Sequence, residues 1–338
     1  MGTSTGIEWC HHTFNPWRGC IKVSPGCQHC YAETISKRNP QVLGIWGPNG
    51  TRPVGNAAYL RQPYKWNKAA QEAGGRRRVF CGSLMDWLED RRDLDEPRAH
   101  LFKTISETPY LDWLLLTKRP ENWHNLLQRA YGVAAGENGD ELGEPVMSWI
   151  SAWLRGDAPP NVWVGVSVEN QERADERVPL LLDIPARVRF LSCEPLLGPV
   201  DLFRIRHPKP SMFGGRTLTF NALSIKRAIG LSTWLTPDYY DPVGDYCLNA
   251  IDWVIVGGES GSKARPMHPA WARILCDQCQ EAGVAFFFKQ WGEWTEAQPG
   301  VILEANRVHR WPDGQLMYRV GKKRAGRELD GREWSEFP

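Results

Sequence analysis

The chain has 338 residues, with 41 Lys and Arg against 39 Asp and Glu, a formal net charge of +2. That balance gives no global electrostatic drive toward nucleic acid, although net charge says nothing about how charge is distributed. With 42% hydrophobic and 24% charged residues the chain can build a full core, and no apolar run reaches the ~18 residues of a membrane span.

The first residues, Met1 to Gly6, lack the basic and apolar regions of a signal peptide, so the chain reads as cytoplasmic, with no membrane partner. In a reducing compartment its nine cysteines point to metal binding, catalysis or core packing rather than to disulfides. A first strand is expected near residues 6–9. Directly after it comes Cys20-Ile-Lys-Val-Ser-Pro-Gly-Cys27-Gln-His-Cys30-Tyr31, three thiols in one short Gly- and Pro-containing loop. Three thiolates suit an iron–sulfur cluster that keeps one coordination position open, since such clusters normally take four. A structural zinc ion would want four protein ligands, and Cys10, His11, His12 or His29 would supply the fourth.

Further along, strands are expected near residues 78–81, 113–117, 162–168, 188–192, 253–256 and 285–288. Runs such as VWVGVSV, DWVIVGG and AFFFKQ are continuously apolar, as in parallel strands buried on both faces. Helices are expected at 31–37, 97–107, 121–130, 170–182 and 269–282. The last carries Pro269 at its start and Gly283 beyond its end. Alternating strands and helices indicate a parallel α/β sheet, here a partial or modified TIM-type barrel forming one domain over residues 1–338. Two stretches, about 134–160 and 204–250, interrupt the rhythm and read as insertions on loops. They suit specificity or oligomer contacts, and equally decoration without a role.

Each expected strand runs out into small and polar residues: Gly82 and Ser83 after the second, Lys118 and Arg119 after the third, Ser167, Glu169 and Asn170 after the fourth. Glu194 follows the fifth, Gly257-Gly258-Glu259-Ser260-Gly261 the sixth, and Lys289 the seventh. In a parallel barrel the active site lies at that face. The Gly-Gly-Glu-Ser-Gly turn could present backbone N–H groups to an anion or be a plain turn. It is not the dinucleotide fingerprint. Cys276 and Cys279 share a helix and read as core or surface thiols, Cys247 lies in an insertion, and Cys81 and Cys193 follow strands near the rim and read first as buried strand cysteines and second as hydrogen-atom donors. The seventeen tryptophans, among them Trp9, Trp17, Trp87, Trp163, Trp291 and Trp294, read first as core and second as stacking platforms.

The run Ile7-Glu8-Trp9, Asn15 to Cys20, and Ser24 to Glu33 resembles a phage-associated three-Cys-motif family. The resemblance continues through residues 79–86, 114–120, 163–170, 191–198, 252–261 and 286–291 and ends at 329–338. That family looks like a divergent branch of the radical S-adenosylmethionine (SAM) superfamily, broadly similar to spore photoproduct lyase. The superfamily usually places fewer residues between its first two cysteines than the six found here. The resemblance implies a [4Fe–4S] cluster on Cys20, Cys27 and Cys30, with His29 at the position packed near adenine and Tyr31 beside it. Gly82 and Ser83 would meet the SAM amino group; Ser167, Glu169 and Asn170 would meet the ribose; Gly257 and Gly258 would also face the cofactor. Lys118, Arg119, Glu194, Glu259 and Lys289 would bind substrate or SAM around the rim, with Lys118, Glu194, Glu259 and Lys289 as the catalytic candidates. It further implies a reductant such as flavodoxin or ferredoxin, a nucleotide or DNA base as substrate, and a phage-encoded partner protein. The alternative is a zinc-stabilised, non-catalytic nucleic-acid-binding or adaptor protein.

Overall fold

The structure, a computed structural model, describes residues 5–136, 142–206, 219–223, 250–297 and 304–338. Seven strands form one parallel sheet: β1 (His12–Phe14), β2 (Arg77–Cys81), β3 (Leu111–Thr117), β4 (Val162–Ser167), β5 (Val188–Cys193), β6 (Trp253–Gly257) and β7 (Ala285–Gln290). Each strand pairs in parallel with the next in sequence. The sheet therefore winds in one direction and curls into a half-barrel. Among the described residues the helices longer than four residues are α1 (Tyr31–Ser36), α2 (Gln62–Glu72), α3 (Asp95–Ser106), α4 (Trp123–Ala134), α5 (Glu144–Leu154), α6 (Gln171–Asp183) and α7 (Pro269–Ala282).

Every residue of β4, β5 and β6 is buried, which is why these runs are apolar throughout. The two faces still differ. One parity of each strand packs in the large core that also takes the apolar faces of the helices. The other parity forms a smaller aromatic cluster of Phe80, Leu114, Trp163, Phe190, Trp253 and Phe287, closed by Trp9 and Cys10. This second cluster fills the lower interior of the half-barrel. Its packing leaves no room for a side chain at Gly165, where a Cβ would lie 2.4 Å from the Phe190 ring.

The first strand lies later than the sequence suggests. Residues 6–9 form a turn, with Cys10 N–H donating to Ile7 O at 3.2 Å, and β1 begins at His12. Trp9 in the Ile-Glu-Trp run is apolar because it plugs the interior against Phe80, with ring centroids 4.5 Å apart, while Glu8 is exposed. The helix expected at 121–130 begins at Trp123, because Pro120–Asn122 form a separate 3₁₀ turn.

The stretch at 134–160 is not a rim loop over its described part. It contains α5, which buries Val146, Ile150 and Trp153, and Trp153 stacks on Trp87 at 6.0 Å. The Gly and acidic residues around it mask this helix in the sequence. Within 204–250, Ile205–Arg206 pairs antiparallel with Thr219–Phe220; Cys247 and most of that stretch lie outside the described residues. Beyond β7 a small antiparallel sheet forms from β8 (Trp294–Glu296), β9 (Val308–Arg310) and β10 (Leu316–Arg319). The tail then runs along β7, with Phe288 N–H donating to Trp334 O and Glu336 N–H to Phe286 O, so one sheet edge is covered. No helix among the described residues is long and apolar enough to cross a membrane.

Candidate functional site

Above the aromatic floor the inward parity turns polar. Lys118 continues the Leu114, Leu116 row; Ser167 continues Trp163, Gly165; Ser192 and Glu194 continue Phe190; Lys289 follows Phe287. These residues line a cavity of about 440 Å³ at the C-terminal ends of the strands, floored by Trp9, Phe80 and Leu116. Cys20, Cys27, His29, Cys30 and Tyr31 close it from the N-terminal loop, and Gly82, Ser83, Gly258 and Glu259 complete the wall. Most of the residues singled out from sequence therefore converge on one site.

The cysteine loop is gripped from three strand ends. After β3, Arg119 donates from Nη2 to Ile21 O at 2.8 Å and from Nη1 toward Cys20 Sγ at 3.6 Å. After β4, the Glu169 carboxylate accepts from Gly26 N–H at 3.1 Å and from Arg177 Nη1 at 3.0 Å. A Cβ at Gly26 would press to 3.2 Å of that carboxylate, so the Pro-Gly pair brings the loop in close. After β6, Glu259 lies 3.2 Å from His29 Nδ1 and accepts three hydrogen bonds from Arg265, through its N–H, Nε and Nη2. Arg265 also donates to Pro25 O and Gln28 Oε1 of the loop.

Arg119 is itself fixed by Asp86. The buried Asp86 carboxylate accepts from Leu88 N–H, Thr117 Oγ1, Lys118 N–H and Arg119 Nη1 at 2.6–3.0 Å. Burial opposes its ionisation, but Arg119 and these hydrogen bonds outweigh burial and hold the carboxyl below its usual range. The same contest, won by Arg177 and Arg265 contacts respectively, lowers Glu169 and Glu259. Burial pushes the Cys20 thiol up to about 12 despite Arg119, and also raises Cys30.

Inside the cavity Lys289 Nζ lies 3.0 Å from Glu194 Oε1, and Lys118 Nζ donates to Ser167 Oγ at 2.9 Å. Tyr31 donates its hydroxyl to Ser83 O at 2.7 Å, tying α1 to the β2 exit. Gly82 has φ 117°, and a Cβ there would lie 2.8 Å from Leu116 O, so only glycine suits that turn.

Three expected cofactor contacts lie elsewhere. Glu169 is buried against the loop and Arg177, outside the cavity lining. Asn170 caps α6, its side chain accepting from Arg173 N–H at 3.0 Å. Gly257 leaves space for Glu194, whose Oε1 would be 2.6 Å from a Cβ. Cys81 and Cys193 are not rim groups: they take the outward parity, fully buried in the helix-facing core, where burial raises both thiols. Cys276 and Cys279 are core residues, and the six tryptophans named above are all buried. Sequence reasoning gave no role to Asp86, Arg177 or Arg265. Arg265 carries no sequence signal. Among the described residues no three His, Cys, Asp or Glu gather around a single ion position.

Residues 4–338 match the family described as "Protein of unknown function (DUF5131)". The chain belongs to that family. The DUF5131 match spans the cysteine loop, all seven strands and the C-terminal sheet, so every site residue above lies inside it. No curated protein and no solved structure matches the chain.

Proposed function

We propose that the chain is a radical SAM-type enzyme whose Cys20, Cys27 and Cys30 hold a [4Fe–4S] cluster and whose substrate is a nucleotide or a DNA base. The observation that carries this reading is the placement of three thiols from one loop, and no fourth, on the wall of one cavity at the C-terminal face of a parallel half-barrel. The donor set fits a cluster with one open iron. Arg119 and Lys118 place positive charge beside those thiols, and the cavity volume lies in the range of small-molecule sites.

When bound, the cluster would supply one-electron reductive cleavage of SAM and hydrogen-atom abstraction, with the electron coming from a flavodoxin- or ferredoxin-type donor. The protein's own work is binding and exclusion. Arg119 donates toward Cys20 Sγ and favours its anionic form. The Gly82 turn packs against Leu116 O and sets the β2 exit on the cavity wall, where Tyr31 holds Ser83 O. Lys289 with Glu194, and Lys118 with Ser167, offer charged and hydroxyl groups for orienting SAM and substrate. The floor of Trp9 and Phe80 keeps water out from below.

The test is anaerobic purification followed by iron, sulfide and zinc analysis and an absorption spectrum. A brown protein with iron and sulfide near equal, at about four each per chain, that forms 5′-deoxyadenosine with dithionite and SAM is the expected result. A colourless protein with stoichiometric zinc overturns it. Iron and sulfide retained after Cys20, Cys27 and Cys30 are all changed to Ala would overturn the ligand assignment.

A further inference from the structure

The run Arg319-Val-Gly-Lys322-Lys323-Arg324-Ala-Gly-Arg327 holds five cations and no carboxylate. That exceeds the formal excess of the whole chain, so a near-neutral total conceals one strongly basic element. Its backbone is anchored at both ends. Val320 and Gly321 N–H groups donate to Glu293 O at 3.1 and 3.0 Å, and Trp291 N–H donates to Gly326 O at 3.2 Å. Arg319 is engaged by the Gly261 and Ser262 carbonyls, and Arg327 by Glu333 and Ser335. Lys322, Lys323 and Arg324 are exposed, and among the described residues no ion pair involves them. Lys322 forms part of the cavity wall.

The charge inside the cavity has the same bias. Each carboxylate on its wall is matched: Asp86 by Arg119, Glu194 by Lys289, Glu259 by Arg265. Lys118 has a hydroxyl partner and no carboxylate within ion-pair distance. Unmatched positive charge therefore stands both at depth and at the mouth. The wall also includes two aromatic side chains, Tyr31, which is half exposed, and Trp46. A ligand suited to this wall carries anionic groups outside and a flat ring that can lie against Tyr31 and Trp46. That is the chemistry of a nucleotide unit.

We propose that the mouth docks single-stranded nucleic acid, with phosphates on Lys322, Lys323 and Arg324 and one base entering past Trp46 and Tyr31. This names the substrate class of the radical-enzyme reading and, for the role of the entering base, rests on it. A base must leave its stack to reach an enclosed site, which favours a single strand over a duplex.

The experiment measures anisotropy of a fluorescein-labelled single-stranded oligothymidylate of about twelve nucleotides, between about 50 and 200 mM salt, where log K falls by roughly 0.7 per phosphate engaged. Changing Lys322, Lys323 and Arg324 together to Glu is expected to flatten the slope by about 2 and weaken binding at least ~10-fold. Lys322→Gln alone, with thermal melting to confirm folding, is expected to lower the slope by about 0.7. As a charge control, Arg61, Lys65 and Lys68, at and within α2 and off the cavity wall, are changed to Glu. No binding by the unaltered protein, an unchanged slope in both mouth variants, or an equal loss in the charge control would overturn the proposal. Displacement by thymidine monophosphate at equal phosphate concentration would assign the site to a free nucleotide and overturn the strand. Iron and sulfide analysis of the same sample separates the two readings: strand binding without a cluster removes only the radical chemistry.

Discussion

At the scale of single residues, carboxylates at the strand ends divide by partner. Glu259 and Glu169 hold the cysteine loop, whereas Glu194 faces the cavity with Lys289. Glu259→Gln keeps the shape but removes the charge that Arg265 and His29 face. It is expected to cost about 1–3 kcal/mol, as loss of charge-assisted hydrogen bonds does, and to lower the iron bound per chain. Lys289→Gln is expected to keep iron and sulfide while slowing 5′-deoxyadenosine formation at least ~10-fold, the cost of about 1.4 kcal/mol in the transition state. Metal content and turnover measured on both variants decide the matter, and the reverse pattern would reassign the two residues. Asp86 is a sharper case. Both it and Arg119 are buried, so Asp86→Asn leaves a buried guanidinium unpaired. A loss of about 3–5 kcal/mol is expected, read from urea unfolding. A loss below about 1 kcal/mol, the scale of an exposed pair, would mean that Arg119 finds another partner.

At the scale of elements, the strand parity organises the site: aromatics below, polar groups above, and the strand thiols Cys81 and Cys193 outside against the helices. Gly165 shows how tight the lower layer is. Gly165→Ala places a methyl group against the Phe190 ring, an overpacking expected to cost about 1–3 kcal/mol. Phe190→Leu in the same chain should recover part of that loss, giving a favourable coupling energy of about 0.5–3 kcal/mol in a double-mutant cycle. Simple additivity in urea midpoints would show that the ring already has room to move. Six of the seven strands were legible because continuous apolar runs need both faces covered, and α7 was legible to the residue from its Pro and Gly boundaries. Trp9 deceived because an apolar plug and an apolar strand look alike in one dimension. α5 was hidden because its Trp-rich face is flanked by Gly and acidic residues. The convergence of cysteines, Lys118, Glu194 and Lys289 followed from strand-end chemistry, but the anchoring roles of Glu169 and Glu259 did not. Which way a rim carboxylate turns depends on Arg177 and Arg265, whose positions are set by tertiary contacts.

At the scale of the molecule, the half-barrel is open: β1 and β7 do not pair. Cohesion across its upper rim comes from the cysteine loop and the ion pairs that hold it. Asp86, Glu169 and Glu259 all have folded pKa values below their usual range. Unfolded, they bind protons near pH 4; folded, they bind them only at lower pH. Their stabilisation is therefore complete above about pH 5 and lost as pH falls through the folded values. Protonating the carboxylates also leaves the 41 Lys and Arg unbalanced, which adds self-repulsion. The alkaline side has the opposite sign. Burial lifts the Cys10 and Cys276 thiols to about 12, so the unfolded chain loses those protons first, near pH 8.5, and stability declines from there upward. Urea midpoints of the metal-free protein should form a plateau between about pH 5 and 8 that falls on both sides. Cys10→Ala with Cys276→Ala should make the alkaline limb shallower, the other buried thiols keeping part of it, and leave the acid limb in place. An acid limb that stays level down to pH 3 would show that the rim ion pairs carry no net stability, and the cohesion of the open barrel would then rest on its aromatic interior alone.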